Sequence, residues 1–110
     1  MSNLDHFLTL SGAVVYPQVN GLWVKQNETN GEKPVFKHSL TSLFLHADMR
    51  PCCHGNWHIS SAIQGGNVFY WAAKTAKIPL KKRVFNIVPY SKETELFIIE
   101  ESSGKNLNFD

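Results

Sequence analysis

The 110-residue sequence contains no long hydrophobic run. No stretch approaches the roughly 20 apolar residues that a membrane-spanning helix needs. The first residues, Met1 to Phe7, lack the basic segment and the long apolar segment of a secretory signal peptide. We therefore expect no membrane association and a cytoplasmic location.

Charged residues are also few and nearly balanced, at 18% of the chain with a formal net charge of +2. Apart from Lys81-Lys82-Arg83 the basic residues are scattered, so the whole molecule is not expected to attract polyanions. The 43% of hydrophobic residues favours a packed fold, because burying them offsets the lost conformational entropy. A chain of this length suits one domain over residues 1–110, with residues 1–6 and 103–110 frayed.

Cysteine is scarce, and the two cysteines, Cys52 and Cys53, are neighbours in the sequence. A disulfide between adjacent residues is strained and closes no useful loop. The pair therefore predicts two free thiols in a reducing compartment.

Helical periodicity is hard to find, whereas short runs rich in β-branched and aromatic residues recur between clusters of Gly, Asn, Pro and Ser. After an entry segment over 7–15, strands are predicted over 22–25, 34–38, 42–46, 57–61, 68–72, 84–88 and 95–100. About eight short strands at this spacing predict an all-β fold, a small antiparallel sandwich or barrel. The sequence also permits one short helical turn over 72–76, and Pro79 prevents a long helix there.

Two local expectations concern turns and faces. The polar run 27–31 is expected to end its strand, so that residues 21–38 form a hairpin with a loop of more than two residues. Alternation over 57–61 places Trp57 and Ile59 on a buried face, and His58 and Ser60 on a face exposed to solvent.

Tryptophan recurs about once per strand, as Trp23, Trp57 and Trp71. These rings could line a groove for a sugar or a peptide, since aromatic side chains give a large contact area with little entropy loss. Filling the core of a small β domain is the stronger interpretation, and Trp57→Ala is then expected to unfold the domain.

Several motifs resemble a short β-rich module that is often repeated in proteins of single-celled eukaryotes. The resemblance covers about Gly12 to Val88 and rests on Gly12, Asn20-Gly21-Leu22-Trp23, Asn30 to Lys37, Leu43-Phe44-Leu45, Trp57-His58-Ile59, Pro79 and Phe85. Trp23 and Phe36 stand where tyrosine is usual, and Phe85 stands where a tryptophan is expected. The resemblance implies a β architecture and a role in interaction, and it assigns no active site.

A metal site is one alternative for the cluster Cys52, Cys53, His54 and His58, with His46 and Asp48 upstream. Thiolates and imidazoles are the ligands that zinc prefers. Adjacent cysteines on an extended chain point to opposite sides, although bending in a loop would relax this objection. The other interpretation is a loop in which one cysteine packs as a small apolar residue and the histidines face solvent.

A cysteine beside a histidine also fits a nucleophile. The sequence indicates no base, orienting partner or oxyanion site to go with it. It also lacks a phosphate-binding loop, a dinucleotide glycine fingerprint, an H-E-x-x-H helix and a G-x-S-x-G elbow. We predict that the protein is not an enzyme and has no catalytic residues.

Single-stranded nucleic acid is a further candidate partner, because basic grooves lined with stacking aromatics hold single strands. Its residues would be Lys81, Lys82, Arg83 and Tyr70. The small net charge and the missing RNA-binding signature argue against it. We therefore predict a non-catalytic interaction module that binds another protein and needs no cofactor to fold.

Overall fold

The computed structural model describes residues 6–63, 65–73, 82–88 and 93–103. Its eight strands are β1 (His6–Ser11), β2 (Gly21–Asn30), β3 (Lys33–His38), β4 (Phe44–Asp48), β5 (Asn56–Ala62), β6 (Gly65–Ala72), β7 (Lys82–Ile87) and β8 (Thr94–Ser103). Each strand pairs antiparallel with the next along the chain, and β8 pairs with β1 to close a barrel. The predicted all-β fold is confirmed, and the barrel is the form it takes.

The barrel interior is filled by large side chains that alternate along each strand. Eight strands enclose a space just wide enough for side chains to fill. The inward residues include Leu8, Trp23, Phe36, Leu45, Trp57, Ile59, Tyr70, Phe85, Phe97 and Ile99, each at most 2% exposed. Trp23 and Trp57 therefore serve the core, as predicted, whereas Trp71 lies half-buried on the outside of β6.

Helix is confined, within the described residues, to one 3-10 turn at Pro17–Val19. The sequence permits a short helical turn over 72–76. Ala72 is instead the last residue of β6, and residues 74–76 lie outside the described part of the chain. Among the residues described, no helix has the length and apolar character to span a membrane.

The β2–β3 hairpin is tighter than its sequence predicts. β2 continues through the polar residues to Asn30, with a register irregularity between Lys25 and Thr29. The turn contains only Gly31 and Glu32, with φ of 60° and 65°. Positive φ at both central positions defines a type I′ turn, whose backbone twist matches the right-handed twist of the flanking strands. The longer predicted loop is wrong because residues 27–29 are exposed and can be polar without ending a strand.

β1 and β8 close the barrel over six register positions, from His6↔Ser103 to Ser11↔Ile98. Gly12 follows at φ +106°, where an added Cβ would lie 2.5 Å from the Leu96 carbonyl oxygen. Only glycine allows the chain to leave the barrel so close to β8. Of the residues expected to fray, His6 and Ser103 are paired in strands, and residues 1–5 and 104–110 lie outside the description.

Candidate functional site

Strands β4 and β5 carry a buried polar cluster on the outer face of the barrel. Leu45 and Ala47 of β4 face the core, so alternation turns His46 and Asp48 outward. On β5 the outward residues are His58 and Ser60. These four side chains form the polar cluster, and they are 0%, 0%, 8% and 0% exposed.

The expectation that His58 and Ser60 face solvent is therefore wrong. Alternation of the side chains is right, because Trp57 and Ile59 do point into the core. Four consecutive residues of β4 are buried, which shows that both faces of this strand are covered. A period of two residues predicts the direction of a side chain but not whether other parts of the molecule lie over it.

His46 and Ser60 form a hydrogen-bonded pair whose geometry and burial do not resemble those of a serine nucleophile and its base. His46 Nε2 lies 2.8 Å from Ser60 Oγ. The Ser60 hydroxyl donates to the Ala62 carbonyl oxygen at 2.7 Å, so it accepts from the imidazole. A catalytic pair needs the opposite arrangement, with the imidazole taking the hydroxyl proton. Since both residues are fully buried, their bond is structural.

Asp48 is stabilised by the turn that follows it. Its carboxylate accepts hydrogen bonds from the Arg50 backbone N–H at 3.1 Å, from Arg50 Nε at 3.0 Å and from Nη2 at 2.7 Å. These bonds from Arg50 hold the pKa of Asp48 below its ordinary value against the effect of burial. A buried carboxylate is tolerated here because a guanidinium is paired with it.

Both histidines of the polar cluster are neutral at neutral pH. Burial, aided by the nearby His58, lowers the pKa of His46 to about 4. Burial also lowers the pKa of His58. Their rings lie 6.1 Å apart between centroids, and Nδ1 of each ring is buried without a hydrogen-bond partner among the described residues. The polar cluster thus combines two uncharged imidazoles with a carboxylate that is paired with Arg50 of the following turn.

The turn between β4 and β5, residues 49–55, holds Cys52 and Cys53 joined in a disulfide. The prediction of two free thiols is wrong for this structure. That prediction rested on the unfavourable geometry of a disulfide between adjacent residues, whereas the chain bends here: the N–H of Cys53 donates to the Arg50 carbonyl at 2.9 Å, and that of Gly55 to the Asp48 carbonyl at 2.7 Å. The bend brings both sulfur atoms to the same side.

The predicted zinc ligands are only partly brought together. Among the described residues, Asp48, Cys52 and Cys53 have ligand atoms within 4.8 Å of one another. His54 lies exposed in the turn at φ 51° and does not belong to this group. His58 is also outside it, although its Nδ1 lies 3.4 Å from Asp48 Oδ2.

The residues suggested for nucleic-acid binding are spread over different environments. Tyr70 is fully buried in the core, so its ring is not offered to a ligand at the surface. Lys82 and Arg83 begin β7, where they pair with Ile98 and Phe97. Lys81 lies outside the described residues. The only described ring of this set therefore has a structural role.

Tyr70 has a second function in the fold that sequence reasoning missed. Its hydroxyl donates to Glu95 Oε1 at 2.5 Å and accepts the Tyr16 N–H at 3.1 Å. The same carboxylate accepts the N–H groups of Val14 and Val15. Burial and the bond to Glu95 raise the pKa of Tyr70. Burial alone would raise the pKa of Glu95, but these donors hold it below its ordinary value.

The outer face of β7 and β8 exposes three apolar side chains. Val84 is directly opposite Leu96, and Ile98 lies two residues further along β8 on the same face. They are 52%, 52% and 43% exposed. We call these three residues the β7–β8 face. Alternation in the run 95–100 could have revealed it, since Phe97 and Ile99 already fill the core.

Comparisons with known proteins add no relative to this description. No protein-family model matches the sequence, and no curated protein and no solved structure matches it. The resemblance to a repeated β-rich module stays a prediction. The function has to be argued from the chemistry of the described residues.

Proposed function

We propose that this barrel is a non-catalytic interaction module that binds another protein through the β7–β8 face. The observation that carries the proposal is the adjacency of Val84, Leu96 and Ile98, each more than two fifths exposed. Single exposed apolar residues are normal on a protein surface, whereas contiguous ones mark interaction sites. Three neighbours on paired strands form a contiguous strip.

Charged residues of both signs border the strip. Glu100 is exposed on the outer face beyond Ile98, opposite Thr9 of β1. Lys82 occupies the register position directly opposite Ile98. An apolar strip with charges of both signs at its border favours a protein partner that presents apolar side chains within a polar rim, because complementary charges at the rim fix the register.

The non-catalytic part of the proposal is supported by the polar cluster. A catalytic hydroxyl or imidazole has to reach a substrate, and His46 and Ser60 are fully buried and bonded to each other. These two side chains, which most resemble catalytic groups, are thus occupied within the fold.

The test compares two leucines that are both exposed. Leu96→Lys places a charge in the β7–β8 face, while Leu40→Lys makes the same change at an isolated position in the β3–β4 turn, where the leucine is 89% exposed. A photoreactive residue at position 98 would first cross-link the partner in native cells. Binding of the purified partner to both variants would then be measured by calorimetry.

We expect Leu96→Lys to weaken binding by at least about tenfold, since a charge is buried against an apolar surface, and Leu40→Lys to leave it unchanged. Equal binding by both lysine variants would refute the proposed surface. Cross-linking of position 98 only to a second copy of the chain, with a dimer in sedimentation that Leu96→Lys dissociates, would replace the foreign partner with self-association.

A further inference from the structure

The β4–β5 turn places three metal-ligating groups side by side. Asp48 ends β4, and Cys52 and Cys53 lie in the middle of the turn, with one ligand atom of each within 4.8 Å of the others. Backbone bonds from Cys53 to Arg50 and from Gly55 to Asp48 shape this turn without help from the disulfide. The sulfur atoms are therefore expected to stay near the carboxylate when the disulfide is reduced.

A buried nitrogen without a hydrogen-bond partner faces the same carboxylate. The side chain of His58 is only 10% exposed, and its Nδ1 lies 3.4 Å from Asp48 Oδ2. Within the described part of the chain this nitrogen has no hydrogen-bond partner. Buried polar atoms are nearly always satisfied, so a nitrogen without a hydrogen bond next to clustered ligand atoms indicates that a further group, such as a metal-bound water, belongs at this place.

We propose that reduction of the Cys52–Cys53 disulfide creates a site for a thiophilic divalent cation, with Zn²⁺ as the representative ion, held by the two thiolates and the Asp48 carboxylate. Thiolates select such ions, and a carboxylate completes mixed sites. This inference is independent of the proposed protein-binding surface.

Charge and access both fit the site. Two thiolates and one carboxylate carry three negative charges, and a divalent cation together with Arg50 neutralises them. Cys52 is exposed and Cys53 is half-buried, so an ion can reach the sulfur atoms from solvent. The fourth position is then left to water, as in zinc sites with three protein ligands.

The redox step balances with an external thiol reductant. Two thiol groups of the reductant give two electrons and two protons to the disulfide, so the S–S bond breaks, Cys52 and Cys53 become thiols, and the reductant is oxidised to its own disulfide. Binding of the cation then releases the two thiol protons to solvent. Oxidation of the pair expels the ion, which makes metal binding dependent on redox state.

The experiment titrates Cd²⁺, a spectroscopic substitute for Zn²⁺, into the full chain with the pair oxidised and with the pair reduced by a phosphine under anaerobic conditions. Thiolate-to-cadmium charge transfer in the ultraviolet reports coordination by sulfur. We expect one Cd²⁺ per reduced chain and none per oxidised chain. A reduced chain that retains its β-sheet circular dichroism but gives no thiolate band would overturn the proposal, and so would equal binding by the oxidised chain.

Variants identify the ligands. Cys52→Ser and Cys53→Ser change positions that are not fully buried, and each is expected to abolish stoichiometric binding. Asp48→Asn, if folded, should weaken binding by at least about tenfold. His54→Ala is the matched control, because His54 shares the turn but not the ligand group. Loss of binding in His54→Ala together with full binding in Asp48→Asn would refute the assigned ligands.

Discussion

The bond between Tyr70 and Glu95 is expected to stabilise one end of the barrel, and its strength can be isolated. Tyr70→Phe removes the hydroxyl that donates to Glu95 Oε1 at 2.5 Å and accepts the Tyr16 N–H at 3.1 Å. Hydrogen bonds to a charged group contribute about 1.5–3 kcal/mol. Glu95 also accepts the N–H groups of Val14 and Val15, so Glu95→Gln is expected to cost at least as much.

A double-mutant cycle of Tyr70→Phe and Glu95→Gln separates the pair from these other bonds. Urea unfolding followed by circular dichroism gives the free energy of unfolding of each variant. We expect a coupling energy of about 1–2 kcal/mol at neutral pH, because the two side chains touch directly. Tyr16→Phe is the matched control: its hydroxyl donates to the Val88 carbonyl oxygen at 2.6 Å and not to Glu95, so its coupling to Glu95→Gln should be clearly smaller than that of Tyr70→Phe.

The pH dependence of the coupling gives an independent check. The folded structure holds the pKa of Glu95 below its ordinary 4.5, so the stabilisation is complete above that value and is lost as pH falls through the lower folded pKa. The coupling between Tyr70 and Glu95 should therefore shrink in acid. A coupling near zero at neutral pH, or one that persists unchanged after the carboxylate is protonated, would refute this account of the barrel end.

Three further predictions concern single positions. Trp57→Ala empties a core position that is 2% exposed and should lower the free energy of unfolding by about 3–5 kcal/mol. A cooperative thermal transition of the variant near that of the wild type would contradict this prediction. Glu32→Gly relieves a non-glycine residue at φ 65° and should raise the free energy of unfolding by roughly 0.5–1 kcal/mol; a lower melting temperature in calorimetry would count against the type I′ turn. Burial lowers the pKa of His46 to about 4, so below about pH 6.5 the unfolded chain binds more protons than the folded chain. The free energy of unfolding measured in urea should therefore fall by about 2 kcal/mol between about pH 7 and pH 5. His58 acts in the same direction, and a pH profile of His46→Gln as steep as that of the wild type would exclude His46 as a source.

Much of the fold follows from patterns within single strands. The runs around Trp23, Trp57 and Phe97 alternate every two residues, and each of these rings lies in the core because the barrel has one apolar side. The strand boundaries were less predictable where a strand is exposed. Residues 27–29 belong to β2 although their composition is typical of a loop.

The candidate sites depend on contacts that no single strand encodes. Tyr70 meets Glu95 across 25 positions of sequence, and the pairing of β6 with β7 and of β7 with β8 has to exist before that contact forms. The two cysteines converge with Asp48 only because the turn bends. Local periodicity predicts direction along one strand, whereas these arrangements need the closed barrel.

Two outer faces of the barrel depart from the usual polarity in opposite directions. The face of β4 and β5 buries polar side chains such as His46, while the β7–β8 face exposes apolar ones such as Leu96. Neither arrangement helps the fold: a buried imidazole loses hydration, and an exposed leucine gains nothing from the core. Departures from local consistency are expected at functional sites. If the departures serve function, Leu96→Lys should leave the free energy of unfolding within about 0.5 kcal/mol of the wild type while it weakens binding by at least about tenfold, since the stability of the barrel resides in the inward side chains.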